Sequence, residues 1–540
     1  MSQTGVSTDA GVSSKAALPP AGRRWDLRCC RPGSYLGRMW QLVALVFIVV
    51  FGAVGTQVDE TQADEPKPNV VFILADDLGW GELGCYGQEK IPTPNIDLLA
   101  SQGSRFTQHY SGAPVCAPSR CVLLTGKHMG HAQIRGNQQA KVAFPEFKEG
   151  QHPITADQLT LAELFQQNGY ATGAMGKWGL GPVGSTGDPN LQGFDLFVGY
   201  NCQAVAHSYF ARYIWENDQQ IEINPQPIPG RKKKPEGEVT LAEFQGKTYA
   251  PEVMIDRAIQ FIDDHHQEPF FLYLPFIEPH VAIHPRPESV DRFPKEWDDQ
   301  VYRGECGYLP HPRPRAGYAA MIADLDGYVG RVMDRLAHHQ IDQQTIVVFT
   351  SDNGTTHEGV ATSKFHIGGC DAQFFNSTAG LRGYKGSVFE GGLRVPMIVR
   401  YPGKVPAGAT NETPGYFADW FPTLCDAIGV KRPEGLDGDS LWKSITSGED
   451  QLGERSPMVW VYPEYGGQVA VRMGDFKVLR RNLKRPRQKS EWEVYSLKDD
   501  PGETINLANQ KPELIEKAAG WLKSQTDENE VFPVEIPATN

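Results

Sequence analysis

The segment Pro114-Val-Cys-Ala-Pro-Ser-Arg-Cys-Val-Leu-Leu-Thr-Gly126 holds the most chemistry for its length. Pro118 and Gly126 predict a short helix starting near Cys116, because proline suits a first turn and glycine a C-terminal stop. A thiol at a helix N-terminus is expected to have a lowered pKa and an anion site beside it. Arg120, on the first turn, is placed to meet that anion or the neighbours of Cys116. An isolated cysteine of this kind reads as a buried structural residue, but this one has company. Asp76-Asp77 and Asp352-Asn353 offer hard oxygen donors that suit Ca²⁺ or Mg²⁺ rather than zinc. One such Asp alone reads as a turn or cap. Taken singly, Lys177 and Lys385 read as solvated surface residues and His280 as a structural one.

These residues span some three hundred positions, so the fold must gather them. From about Asn69 the chain alternates β-branched runs with amphipathic stretches, the pattern of an α/β sheet. Strands are expected at Asn69–Ala75, Tyr170–Met175, Pro269–Leu274, Thr345–Thr350 and Val395–Tyr401. Helices are expected at Gln158–Asn168, Glu252–His265 and Ala316–His338. Asp76, Asp77, Lys177, His280, Asp352 and Asn353 all fall just past the C-terminal ends of strands. In open α/β sheets that rim is where ligands bind. If the strands are parallel neighbours, the six meet in one cleft.

Cys116-Ala-Pro-Ser-Arg120 followed by Leu-Thr-Gly resembles the cysteine-to-formylglycine motif of the sulfatases. The resemblance runs from Asn69 to the C-terminal region. It includes Gly391-Gly-Leu-Arg-Val-Pro396, and Glu493-Val-Tyr-Ser-Leu-Lys-Asp-Asp-Pro-Gly-Glu503 with Asn506-Leu507-Ala508. A five-residue motif can mislead, whereas an ordered set over this length makes chance a poor explanation. The resemblance implies an alkaline phosphatase-like fold: a large, mixed, mostly parallel sheet flanked by helices, then a small antiparallel sheet with one helix. It implies that a formylglycine-generating maturation enzyme converts Cys116 to 3-oxoalanine, whose aldehyde hydrates to a geminal diol. One hydroxyl attacks sulfur and releases the alcohol; the other then loses its proton, the aldehyde re-forms and sulfate leaves. By the same resemblance Ca²⁺, in preference to Mg²⁺, binds Asp76, Asp77, Asp352, Asn353 and residue 116. Lys177 and Lys385 match sulfate-binding lysines. His280 matches a histidine that contacts sulfate and protonates the leaving alcohol, and Arg120 joins the catalytic group.

One position departs from the family pattern. Where many members read Gly-Lys-Trp-His, this chain reads Gly176-Lys-Trp-Gly179, so residue 179 cannot be the base of the second half-reaction. His128, His131 and His366 are the candidate substitutes, each with a structural or substrate-pocket reading beside it. The glycine is read as a subfamily trait.

Residues 1–63 read as an export leader. Arg23, Arg24, Arg28, Arg31 and Arg38 precede an apolar run from Leu42 to Val54, which is shorter than the ~20 residues a membrane span needs. Cleavage after Gly55 or Ala63 and a periplasmic or secreted product are expected; an uncleaved anchor is the rival reading. Residues 64–452 are assigned to the catalytic α/β domain and 453–540 to a C-terminal subdomain of four strands and a helix. The net charge of −13 argues against a general nucleic-acid binder. The polar stretch Asn201–Gly246, which carries Arg231-Lys-Lys-Lys234, is expected to form a loop or cap over the site. The expected substrate is a sulfated carbohydrate or other small sulfate ester, with aryl sulfates as test substrates. The competing functions are a phosphate mono- or diester hydrolase of the same superfamily and a sulfated-glycan binder without turnover.

Overall fold

Asn69-Val-Val-Phe-Ile-Leu-Ala75 is apolar throughout because its strand is covered on both faces. Val70, Phe72 and Leu74 point into one apolar cluster with Leu123 and Trp420; Val71, Ile73 and Ala75 point into another with Met254, Ile255, Leu325 and Val329. The first face is covered by the helix Cys116–Thr125 and its neighbours, the second by the helices Ala250–His265 and Pro314–His338. The computed structural model describes residues 67–356, 367–485, 487–488 and 490–538. The leader, 1–63, and His366 lie outside the described residues.

This strand is central in a ten-stranded sheet. On one side it pairs in parallel with Phe270–Pro275, then Ala171–Lys177, then Leu196–Tyr200. On the other it pairs in parallel with Thr345–Ser351. All five strands therefore end at one rim. Beyond Thr345–Ser351 the direction reverses: Met397–Arg400 runs antiparallel to it. At the opposite edge the hairpin Tyr213–Glu216/Gln219–Glu222 extends the sheet. Part of the stretch expected to be a loop or cap thus adds two strands. Strand-helix boundaries otherwise follow the sequence pattern closely. The helix Leu161–Gln167 starts at a Thr160–Glu163 capping box, later than Gln158, because Thr160 provides the first turn's N-cap.

The C-terminal strands Met458–Tyr462, Gln468–Met473, Phe476–Arg481 and Glu493–Ser496 form an antiparallel sheet in that order. The helix Pro512–Ser524 packs on it. Trp460, Val469 and Val471 share the apolar cluster of Val122 and Leu123, so this sheet backs the Cys116 helix. It also supports the loop carrying Lys385, through the Gln468 amide donating to the Gly386 carbonyl at 2.7 Å.

Candidate active site

Each parallel strand delivers its polar residues as it leaves the sheet. Asp76 and Asp77 follow Asn69–Ala75; Lys177 ends its strand; His280 follows Phe270–Pro275; Asp352 and Asn353 follow Thr345–Ser351. Asp77 adopts φ +64°, which sharply turns the chain and needs support for a non-glycine residue. That support comes from its own N–H, which donates to Asp352 Oδ1 at 3.2 Å. The Cys116–Thr125 helix enters from one face, and Gly126 ends it at φ +66°. All nine site residues expected from the sequence lie in this one neighbourhood, and all are buried.

Cys116 donates through Sγ to Asp76 Oδ1 at 3.3 Å and accepts from Lys385 Nζ at 3.3 Å. Lys177 Nζ binds Asp76 Oδ2 at 2.5 Å, and Lys385 Nζ binds Asp77 Oδ1 at 2.8 Å. Arg120 bridges Asp352 at 2.8 Å and Asp76 at 3.3 Å, and also donates to the Lys177 carbonyl. His280 Nδ1 faces the Val281 carbonyl, which can only accept, so Nδ1 carries the proton and Nε2 is left 3.6 Å from Asp77 Oδ2. Three buried carboxylates thus face two buried lysines and a buried arginine.

The charges do not share evenly. Burial would raise Asp76, but Lys177, His280, Arg120 and Lys385 together hold it well below the carboxylate range. Burial likewise opposes Asp77, which Lys385 and His280 bring down. Asp352 is pushed up to about 6 by burial and by the charge of Asp76, against the pull of Arg120. Burial, with Lys385, moves His280 down to about 4. The Cys116 thiol also goes against the sequence expectation. Burial, reinforced by Asp76, pushes it well above its ordinary value despite the helix terminus. Nor is the helix N-terminus open to an anion at Ala117, whose N–H is taken by Asn137 Oδ1 at 3.0 Å. The unmodified thiol is held protonated and is a weak nucleophile.

The donor set fits a hard divalent cation. Ligand atoms of Asp76, Asp77, Cys116 and His280 lie within 4.8 Å of one another. Asn353 donates its amide to Asp77 Oδ1 at 2.7 Å while its own Oδ1 is buried with no hydrogen-bond partner among the described residues. An unpaired buried amide oxygen beside carboxylates is the arrangement a calcium-type ion satisfies.

His128 and His131 do not join this group. Their rings stack on each other at 4.4 Å, and both turn to Asp437, at 3.8 and 2.9 Å respectively. His128 also accepts from the Gly130 N–H at 3.1 Å, so the pair ties down a loop. Several residues near the site carried no sequence signal. Thr356 donates to Asp77 Oδ2 at 3.1 Å. His207, from the Asn201–Gly246 stretch, stacks on the His280 ring at 5.0 Å and 6°. Tyr308 meets His207 edge-on at 5.2 Å. Polar residues within irregular chain have no periodicity to betray their neighbours.

The fold is alkaline phosphatase-like, with a buried cluster of carboxylates and cations at the sheet rim. The sulfatase family model matches residues 68–430, and a model described as N-sulphoglucosamine sulphohydrolase, C-terminal, matches residues 384–528. The chain belongs to the sulfatase family, the sulfuric ester hydrolases. Arylsulfatase G of Mus musculus is 30% identical over 439 residues, covering 76% of this chain and 75% of that protein. N-acetylgalactosamine-6-O-sulfatase of Bacteroides thetaiotaomicron is 30% identical over 530 residues, covering 85% of this chain and 93% of that one. The solved structure of Ps i-CgsB in complex with k-i-k-neocarrahexaose superposes with a TM-score of 0.68 at 25% identity, covering 88% and 96% of the two chains.

Proposed function

We propose that this sulfatase cleaves sulfate esters of carbohydrates through a formylglycine hydrate made from Cys116, with Ca²⁺ held by Asp76, Asp77, Asp352, Asn353 and residue 116. The observation that carries the reading is the convergence of Cys116 Sγ, Asp76 and Lys385 within 3.3 Å contacts, beside the unpaired Oδ1 of Asn353. The raised thiol pKa adds support, since a cysteine held protonated gains most from conversion to a diol. When present, the metal polarises a sulfate oxygen and the hydrate supplies the hydroxyl that attacks sulfur. The chain's own residues do the rest. Lys177 and Lys385, now paired with Asp76 and Asp77, are placed to turn their ammonium groups to sulfate oxygens and stabilise the charge of the transition state. Arg120 holds Asp352 and Asp76 in position. His280, its ring fixed by the Val281 carbonyl, presents Nε2 to the leaving group, and it donates a proton there only in the doubly protonated form that a bound sulfate's negative charge favours.

A carbohydrate substrate is supported by the relatives named for an N-acetylgalactosamine sulfate and by the one crystallised with a neocarrahexaose. The leader reading puts the mature protein in the periplasm or outside the cell, after a formylglycine-generating enzyme has acted on Cys116. Sulfate release from a panel of sulfated mono- and oligosaccharides, with 4-nitrophenyl sulfate as reference, tests the reading. Turnover that EGTA removes and Ca²⁺ restores is expected; sulfate release unaffected by complete chelation contradicts the metal assignment.

A further inference from the structure

Gly179 departs from the family pattern, and a neighbouring segment fills the space it leaves. Its φ of +111° strains any L side chain, and a Cβ there would lie 2.5 Å from Nε2 of Gln203. Gln203 arrives from the adjacent strand. Leu196–Tyr200 runs parallel to Ala171–Lys177 with Tyr200 opposite Lys177, so residues 201–203 leave the rim beside residues 178–179. The Gln203 backbone N–H is anchored by Gln151 Oε1 at 2.9 Å. Its side chain is buried, and Nε2 has no hydrogen-bond partner among the described residues. A buried amide donor left unpaired is a cost that native structures avoid unless something else binds there. Four residues on, the same segment lays His207 on His280. The segment 201–207 therefore lies against residue 179 at one end and on His280 at the other.

We propose that Gln203 is a substrate-binding residue whose Nε2–H donates to an oxygen of the bound sulfate group, in the space a side chain at position 179 would fill. The inference rests on the sulfatase reading of the site. A neutral carboxamide accepts no proton at working pH, so Gln203 binds and orients the sulfate group and leaves proton transfer to other residues.

The test measures inorganic sulfate binding by calorimetry and kcat/KM on 4-nitrophenyl sulfate for the wild-type protein, Gln203→Ala and Gln203→Glu, each with a melting curve. Gln203→Ala is expected to weaken sulfate binding and kcat/KM by roughly ten- to hundredfold each, the value of a hydrogen bond to a charged group. Gln203→Glu keeps the shape but sets a carboxylate against the anion, so it is expected to lose more. Should the alanine variant fail to fold, the near-isosteric glutamate variant carries the test. Sulfate affinity and kcat/KM within twofold of wild type in the folded variants would overturn the proposal and make Gln203 a space filler. A wild-type protein that neither binds sulfate nor releases it overturns the sulfatase reading as well. An active wild type with unaffected variants sinks only the role of Gln203.

Discussion

Two buried ionic clusters in this molecule are built to opposite ends. Behind the Lys385 loop, Lys477 of the C-terminal sheet sits fully buried between Glu390 and Glu503, 2.8 Å from each. Glu390 also accepts from Tyr110 at 2.7 Å, and its N–H donates to Glu503 at 2.7 Å. Lys477 serves both carboxylates there, and Arg394 reaches Glu390 alone, at 3.6 Å. Burial and the charge of Glu390 accordingly push Glu503 up to about 7, although Lys477 pulls it down. Glu390 is lowered by Lys477 and Arg394 in spite of its burial. The second cluster, around Asp76, sets three permanent cations against three carboxylates and leaves Asn353 Oδ1 unpaired. The first cluster limits its charge with a proton and joins two parts of the chain. The second gathers its charges at the sheet rim and, under the proposed function, would exchange some of these partners for a metal and an anion.

The predictions that separate the two follow from this difference. Cys116→Ala is expected to abolish turnover, by on the order of 10⁴-fold or more, with melting temperature nearly unchanged; continuous sulfatase assays and calorimetry check both. Asp352→Ala removes a proposed metal ligand and the anchor of Arg120. It should cut kcat/KM by roughly a hundredfold or more and raise the Ca²⁺ concentration needed for half-maximal activity. Lys477→Met, in the other cluster, leaves Glu390, among the described residues, with only the more distant Arg394 and takes from Glu503 the cation 2.8 Å away. A loss of about 3–5 kcal/mol in urea unfolding is expected, with activity per folded molecule within a few-fold of wild type. Glu503→Gln gives the smallest effect, seen in a pH series. Glu503 is raised in the folded chain from 4.5 to about 7, so the unfolded chain loses this proton first as pH climbs. The wild-type protein should therefore lose stability between pH 4.5 and 7, by on the order of 2 kcal/mol, and the glutamine variant should lose less. An unchanged slope would mean that Glu503 is not the proton carrier of that cluster.

Much of the site could be read before any coordinates, because it sits where strands stop. Apolar runs mark strands, and the polar residues that end them, Asp76, Lys177 and Asp352 among them, mark the rim. Strand direction was less legible: Met397–Arg400 is as apolar as its neighbours, yet runs antiparallel. In the hairpin within 201–246, Gln219–Glu222 is polar and exposed, and Tyr213–Glu216 is too short, at four residues, to give an alternating signal. Cys116 shows where local reasoning fails. The helix terminus argues for a lowered pKa, but burial beside Asp76 reverses the direction, and burial is a property of the whole fold. Gln203 and His207 were invisible for the same reason, since only the pairing of two strands brings Gln203 to Gly179.

The most direct test is a mass spectrum of the tryptic fragment spanning residues 106–120, taken from protein purified from its native host. An aldehyde and its hydrate in place of the Cys116 thiol is the predicted result. A fully intact thiol in protein that turns over sulfate esters would contradict the account.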